Sequence, residues 1–230
     1  MTAKQEAVLQ ALQGKTAAVV GIGLRSGVPL IRFLLQQGCR VVACDRKERQ
    51  QLPDVMEALA GLPIEFQLGD GYLQGLERCQ FIFRTPGMRP DLLELTNAVR
   101  AGAKLTSEIE LVFALAEAPI NGITGSDGKT TTTTLVSEML RADGREVYLG
   151  GNIGHSLIEE VLDIPASAEI VLELSSFQLM GMQTSPQAAI VTNLSPNHLD
   201  YHLSLDEYVA AKEQIFLHQA SRGSGGFQFG

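Results

Sequence analysis

Residues 120–135 read INGITGSDGKTTTTTL, and this run restricts the fold more than any other part of the chain. An apolar stretch broken by Gly122 and Gly125 gives way to Gly128-Lys129-Thr130 and then to a helix-forming segment. Strand, glycine turn and helix in that order are the layout of a phosphate-binding loop. The glycines let backbone N–H groups turn toward an anion, the lysine reaches the terminal phosphates, and the threonine hydroxyl can hold Mg²⁺. The helix that starts there adds its positive end. Strict spacing asks for glycine at Ile123, and Gly125 is the glycine present, so the loop is a shortened variant. Gly125, Ser126, Asp127, Gly128, Lys129, Thr130 and Thr131 are the candidate nucleotide contacts. The plain alternative is a glycine-rich turn with a solvated lysine.

The flanking pattern predicts an α/β chain. Helices are expected at 3–13, 27–37, 91–101 and 107–117, with strands at 16–20, 40–44, 64–68 and 80–83. A second set holds strands at 120–124, 146–149, 169–174 and 188–192 and helices at 128–142 and 205–219. Strands alternating with helices imply βαβ units and parallel sheets. The expected organisation is a Rossmann-like domain over 1–116, part of a P-loop-type α/β central domain over 117–220, and a tail at 221–230. That tail, SRGSGGFQFG, is glycine-rich and aperiodic, and reads as disordered or vector-derived. The second set has few strands for a doubly wound sheet, so the chain is expected to be cut short.

The first strand is followed by Gly21-Ile22-Gly23-Leu24-Arg25-Ser26-Gly27, a GxGxxxG variant of the dinucleotide fingerprint with Ser26 in the place of the third glycine. Asp45 ends the next strand at the spacing of a ribose-binding acid, and Arg46 follows it. Thr85-Pro86-Gly87 follows a further strand, and ligands in open α/β sheets sit beyond the strand ends. The plain alternatives are a strand–helix turn, a surface aspartate and a Pro-Gly turn.

Three residues in the second half stand out. Glu173 ends a buried-looking strand, where a carboxylate is costly unless paired or metal-bound. With Thr130 and phosphate oxygens it makes a plausible Mg²⁺ shell; the alternative is a strand-end glutamate turned to water. His198 follows the strand 188–192 and could bind metal or substrate, although a lone histidine is more often structural. Lys212 falls on the stripe formed by Leu205, Tyr208, Val209, Ile215 and Phe216, so it either snorkels at the edge or is buried with a lowered pKa.

Composition narrows the function classes. A net charge of −8 argues against a nucleic-acid or anionic-membrane surface, yet leaves room for nucleotide ligands. Cys39, Cys44 and Cys79 have no metal-ligand spacing and fit reduced thiols. The first residues, MTAKQEAVLQALQGK, lack a signal-peptide core, and no apolar run is long enough for a bilayer, so a cytoplasmic protein is expected.

Several runs together resemble the Mur ligases: GITGSDGKTTTTTL, GGNIG at 150–154, LELSSFQL at 172–179, NHLD at 197–200 and YVAAK ending at Lys212. LELSSFQL is the most specific, and with GIGLRSG, Asp45 and TPG at 85–87 it is similar to the branch that adds D-glutamate to UDP-N-acetylmuramoyl-L-alanine. The resemblance spans about residues 15–219. It implies an ATP-dependent amide ligase of peptidoglycan synthesis that works through an acyl phosphate and is a monomer when full-length. It implies that Lys129 holds the β/γ-phosphates and that Thr130 and Glu173 bind one Mg²⁺. His198 and a carbamylated Lys212 would bind a second. Leu24, Arg25, Ser26, Asp45, Arg46 and the loop Thr85, Pro86 and Gly87 would face the uridine nucleotide, and Asn152 and His198 its sugar.

The match has departures. Asp127 stands where the family usually has asparagine, and Arg25 and Ser26 replace small or neutral residues. The family's C-terminal domain has no counterpart here, so the chain alone is expected to be inactive. A nucleotide-binding module without catalysis is a competing reading. An NAD-dependent oxidoreductase, prompted by GIGLRSG and Asp45, leaves Lys129, Glu173 and Lys212 unexplained.

Overall fold

The computed structural model describes residues 1–196 and 201–219. Helix α1 (Ala3–Leu12) starts at Thr2, whose hydroxyl accepts from the Gln5 amide while the Gln5 side chain accepts from the Thr2 amide. This reciprocal cap satisfies two donors that a helix start leaves open. There follow β1 (Thr16–Val20), α2 (Gly27–Gln36), β2 (Arg40–Asp45), α3 (Pro53–Ala58), β3 (Ile64–Leu68), β4 (Phe81–Arg84), α4 (Leu93–Arg100), β5 (Lys104–Thr106) and α5 (Glu108–Leu115). The five strands make one parallel sheet in the order β3-β2-β1-β4-β5. Apolar runs such as TAAVV suit β1, because a central parallel strand is covered on both faces.

The second unit comprises β6 (Ile120–Thr124), α6 (Lys129–Ala142), β7 (Val147–Gly151), β8 (Glu169–Glu173), α7 (Ser176–Leu179), β9 (Ala188–Val191) and α8 (Leu205–Leu217). Its sheet is also parallel, in the order β7-β8-β6-β9. In both sheets the strand that leads into a glycine loop has neighbours on either side. That is the switch-point position where α/β sheets open a crevice.

One apolar cluster joins the two sheets, running from Ile31 and Phe83 through Val112 of α5 to Ile158 and Leu172. A smaller cluster around Val20, Ile82 and Leu95 covers the other face of the first sheet. Helix α1 fastens the connector: the Gln5 side chain donates to the Leu115 carbonyl at 3.0 Å, and Lys4 donates to the Ala116 carbonyl at 2.8 Å.

Three elements were not expected from sequence, among them the four-residue α7. Strand β5 has only three residues, too few for a period to show, and α3 is a six-residue helix started by Pro53. The expected tail at 221–230 lies outside the described residues.

Candidate functional site

The second glycine loop turns on Gly125 and Gly128, whose φ angles of 145° and 74° lie where a Cβ is strained. Lys129 folds back over the loop, its amine donating to the Ser126 carbonyl at 2.8 Å. Thr130 donates its hydroxyl to one carboxylate oxygen of Glu173 at 2.6 Å, and the Asn152 side chain donates to the other at 2.7 Å. Sheet register explains the meeting: Glu173 pairs with Ile123 on one side and Gly151 on the other. Gly151 has φ 88°, and a Cβ there would collide with the Glu173 carbonyl, which accepts from the Asn152 amide at 2.7 Å. Glu173 is 1% exposed, and a buried carboxylate needs such donors.

The loop is held by residues that the sequence reading did not single out. Ser126 donates to the Ser195 carbonyl at 2.8 Å, accepts from the Ser195 amide at 2.9 Å, and lies 2.7 Å from the Tyr208 hydroxyl. One donor and two acceptor sites are what a serine hydroxyl offers. The Asp127 amide donates to Asn193 at 3.0 Å, and Thr192 donates to the Asp127 carbonyl at 2.6 Å. The available signal was the polar run TNLSP directly after a strand.

Lys212 is 2% exposed on the buried face of α8, with Tyr208, Ala211 and Ile215. Leu205 and Phe216, expected on that stripe, are instead 44% and 43% exposed, because the buried arc is narrower than the apolar pattern. The Lys212 amine donates to the Thr124 hydroxyl at 3.2 Å and the Gly125 carbonyl at 2.9 Å, and lies 4.8 Å from the Tyr208 ring centre. It therefore braces the back of the second glycine loop rather than bonding to Glu173. Burial, then the nearby Lys129, lowers its pKa from 10.5 to about 8. His198 lies outside the described residues.

In the first sheet, Asp45 accepts from the Ile22 amide at 3.1 Å and the Lys47 amide at 3.0 Å, which ties its carboxylate to the turn. A Cβ on Gly27 would sit 2.6 Å from the Gly21 carbonyl, so Gly27 does the close-packing work of the missing third glycine. Gly21 has φ 88°, and a Cβ there would meet Thr85 at 2.7 Å, so the two loops share one crevice. Ser26 precedes α2 without capping it; the Val28 amide donates to the Gly23 carbonyl at 3.1 Å and Pro29 has no N–H, so the Gly27 amide is the donor of the first turn that remains for a ligand. Leu24, Arg46 and Gly87 are exposed around the rim, and Pro86 is half-buried. Arg25 reaches across, donating to the Gly151 carbonyl at 3.3 Å.

A cavity of about 130 Å³ lies between the two units, lined among others by Gly21, Gly27, Thr85, Glu108, Asn152 and Gln178. It runs from the start of α2 to Asn152, the residue that holds Glu173. The first glycine loop lines this cavity directly, and the second is linked to it through Asn152 and Glu173. Among the described residues, no group of three or more His, Cys, Asp and Glu could hold a metal ion. Among them, too, no helix is long and apolar enough to cross a membrane.

Comparisons with known proteins agree with this arrangement. A family model described as the Mur ligase MurD-like N-terminal domain matches residues 15–107, and one described as the Mur ligase middle domain matches residues 123–225. The chain is 48% identical over 219 residues to UDP-N-acetylmuramoylalanine–D-glutamate ligase of Ruminiclostridium cellulolyticum, covering 95% of this chain and 47% of that protein. It is 53% identical over 204 residues to the enzyme of the same name from Symbiobacterium thermophilum, covering 89% and 45%. The chain thus spans about half the length of the curated relatives it matches. Among solved structures it resembles UDP-N-acetylmuramate:L-alanyl-gamma-D-glutamyl-meso-diaminopimelate ligase from Neisseria meningitides, with a TM-score of 0.55 at 19% identity over 88% of this chain and 67% of that one. It also resembles UDP-N-acetylmuramate-alanine ligase from Thermotoga maritima, with a TM-score of 0.51 at 20% identity over 87% and 46%. At these identities the two structures speak for the fold.

Proposed function

The chain belongs to the Mur ligase family, and from that premise we propose that it forms the nucleotide-binding half of an ATP-dependent ligase that joins D-glutamate to UDP-N-acetylmuramoyl-L-alanine. The observation that carries this reading is the Glu173 carboxylate, buried and gripped by Thr130 and Asn152 beside a lysine-bearing glycine loop. A binding turn alone has no need of such a group; phosphoryl transfer does.

In this reading the diphosphate of the uridine nucleotide lies against the open start of α2, with Leu24, Arg25, Ser26, Asp45, Arg46 and the loop of Thr85, Pro86 and Gly87 around it. Gly125 to Thr131 cradle the ATP phosphates, and the Lys129 ammonium faces the transferred group. The acceptor carboxylate attacks the γ-phosphorus, ADP leaves, and an acyl phosphate results. The D-glutamate amine then displaces inorganic phosphate and forms the amide. Positioning and charge neutralisation do most of the work in such transfers.

Thr130 and Glu173 offer only hard oxygen donors, which fit Mg²⁺ together with phosphate oxygens. When bound there, Mg²⁺ neutralises charge building on the phosphoryl oxygens. Lys212 as an ammonium has no lone pair to offer a cation. Its pKa of about 8 leaves a share of it neutral near pH 7.5, able to add CO₂ at the amine nitrogen with loss of a proton. The resulting carbamate, with His198, would serve a second Mg²⁺.

Calorimetric titration of the 230-residue chain with UDP, NAD and MgATP tests the reading. UDP is expected to bind better than NAD, and MgATP binding is expected to fall on Glu173→Gln. Tighter binding of NAD, or MgATP binding indifferent to Glu173, overturns it.

A further inference from the structure

We propose that Glu108 reads the middle of the substrate: its carboxylate accepts hydrogen bonds from hydroxyl or amide N–H groups lying between the diphosphate and the terminal carboxylate of the ligand. The inference rests on the proposed function and adds a specificity-determining residue to it.

The position comes first. Glu108 opens α5 and lines the cavity between the two units. The start of α5 is satisfied without it, because Ser107 accepts from the Glu110 amide at 3.3 Å and donates to the Glu110 carboxylate at 3.0 Å. One oxygen of Glu108, Oε1, accepts from the Ser156 hydroxyl at 2.7 Å. The other, Oε2, has no donor among the described residues, although burial raises the Glu108 pKa and so marks the carboxylate as poorly solvated. Glu108 is half-buried, so its second oxygen is open to the cavity rather than sealed in the core. That oxygen is useful if a ligand completes its bonding.

Charge then selects the ligand. The same cavity is lined by the start of α2, by Arg25, which donates to the Gly151 carbonyl, and by Asn152, which donates to Glu173. The helix start and Arg25 suit an anion, and the Glu108 carboxylate repels one. The part of the ligand beside Glu108 must therefore be uncharged and rich in donors. A sugar with hydroxyls and an acylated amine, followed by a peptide N–H, has that chemistry. Size agrees. The cavity holds about 130 Å³, below the ~300–1,000 Å³ of pockets that enclose whole ligands, so it takes a middle segment while both ends emerge.

The test compares two probes, UDP and UDP-N-acetylmuramoyl-L-alanine, by calorimetry on the 230-residue chain. Glu108→Ala is expected to weaken the sugar-peptide nucleotide roughly 10-fold or more, as for a lost bond to a charged acceptor, and to leave UDP unchanged within about twofold. Glu108→Gln, which keeps the volume and one acceptor oxygen, should fall between, and its melting curve checks that the fold is kept. Ser156→Ala removes the neighbouring hydroxyl but not the carboxylate, and should leave the ratio of the two affinities unchanged. Equal losses for both probes, or no loss, overturn the role of Glu108. A Ser156→Ala result matching Glu108→Ala overturns it too, since the carboxylate would then act only as a latch. If the wild-type chain binds neither probe, the reading of the crevice falls first and this inference falls with it.

Discussion

The two glycine loops of this molecule share a plan and differ in chemistry. Each follows the strand at the switch point of a parallel sheet, Val20 ending one and Thr124 the other, and each opens a helix. The helix after the first loop buries most of its surface, with Val28, Leu30, Ile31, Phe33 and Leu34 all in the core. The helix after the second reads KTTTTTLVSEMLRA and buries only Thr133 and Ser137. The first loop thus offers the Gly27 amide at a rigid helix start and the exposed Arg25, with no lysine and no buried carboxylate. The second offers an ammonium, a threonine hydroxyl and a buried carboxylate. Backbone donors alone suffice to hold a diphosphate. Moving a phosphoryl group asks for side-chain charge placed where charge develops. In the proposed function the same turn geometry serves binding in one half and transfer in the other.

The hardest test of that contrast removes one cation from each loop, with this sequence joined to the remaining half of a full-length ligase of the family. Lys129→Ala should lower kcat for amide formation by ~10²–10³, the usual effect of deleting one transition-state donor. Arg25→Ala should raise KM for the sugar nucleotide a few-fold and leave kcat near its starting value. Steady-state kinetics with both substrates varied separate the two. Equal effects on kcat would erase the distinction between a binding loop and a transfer loop.

The next test is about rigidity. A Cβ on Gly27 would lie 2.6 Å from the Gly21 carbonyl and from the Ile22 Cα, both backbone atoms with no freedom to give way. Gly27→Ala should cost ~1–3 kcal/mol, as overpacking does, and should abolish UDP binding before MgATP binding. Gly128, with nothing within 4 Å of its Cβ position, is limited only by its φ of 74°. Gly128→Ala should be milder on stability. Urea melts of both variants check the order, and a reversed order would mean that the second loop is the tighter one.

A smaller effect concerns the charge behind the second loop. Lys212 has a pKa lowered to about 8 in the folded chain against an ordinary 10.5, so the unfolded chain holds its proton more firmly. Burying the charge costs stability below pH 8, and that cost fades as pH rises from 8 toward 10.5. In carbonate-free buffer, Lys212→Met should raise Tm by a few °C at pH 7, with the gain shrinking across that window. A gain constant with pH would mean that the ammonium is fully compensated by Thr124, Gly125 and the Tyr208 ring.

How much of this could be read in advance depended on sequence distance. The glycine turns, Asp45 and the Glu173 strand end were legible because each motif lies within one strand–turn–helix. Lys212 was legible as a misplaced charge on a helix face, since helical spacing is local. The wrong neighbours, Leu205 and Phe216, came from treating every apolar residue of the period as buried. Asn152 on Glu173 needed the register of β7 against β8, and Tyr208 on Ser126 joins residues 82 apart in sequence. Glu108 on Ser156 crosses between the two units. Such pairings are set by how the sheets pack, and no local pattern encodes them.

The finest difference between the loops is Asp127, a carboxylate where, in the proposed function, the second loop faces phosphates. Its backbone is already committed, the amide to Asn193 and the carbonyl to Thr192, so a change of side chain leaves the loop's path alone. The carboxylate itself is exposed, with only a 3.4 Å contact from the Ser195 hydroxyl. An exposed charge close to a phosphate interacts through mostly aqueous surroundings, where like charges at ~4 Å repel by about 1 kcal/mol. Asp127→Asn should therefore tighten MgATP by about five-fold at low ionic strength, leaving UDP at the first loop unchanged. The gain should shrink in 1 M salt, where screening reaches ~3 Å. Calorimetry at two salt concentrations measures both. If MgATP binds more weakly to Asp127→Asn, the carboxylate is working as an extra cation ligand, and the second loop holds its metal with one more oxygen than Thr130 and Glu173 supply.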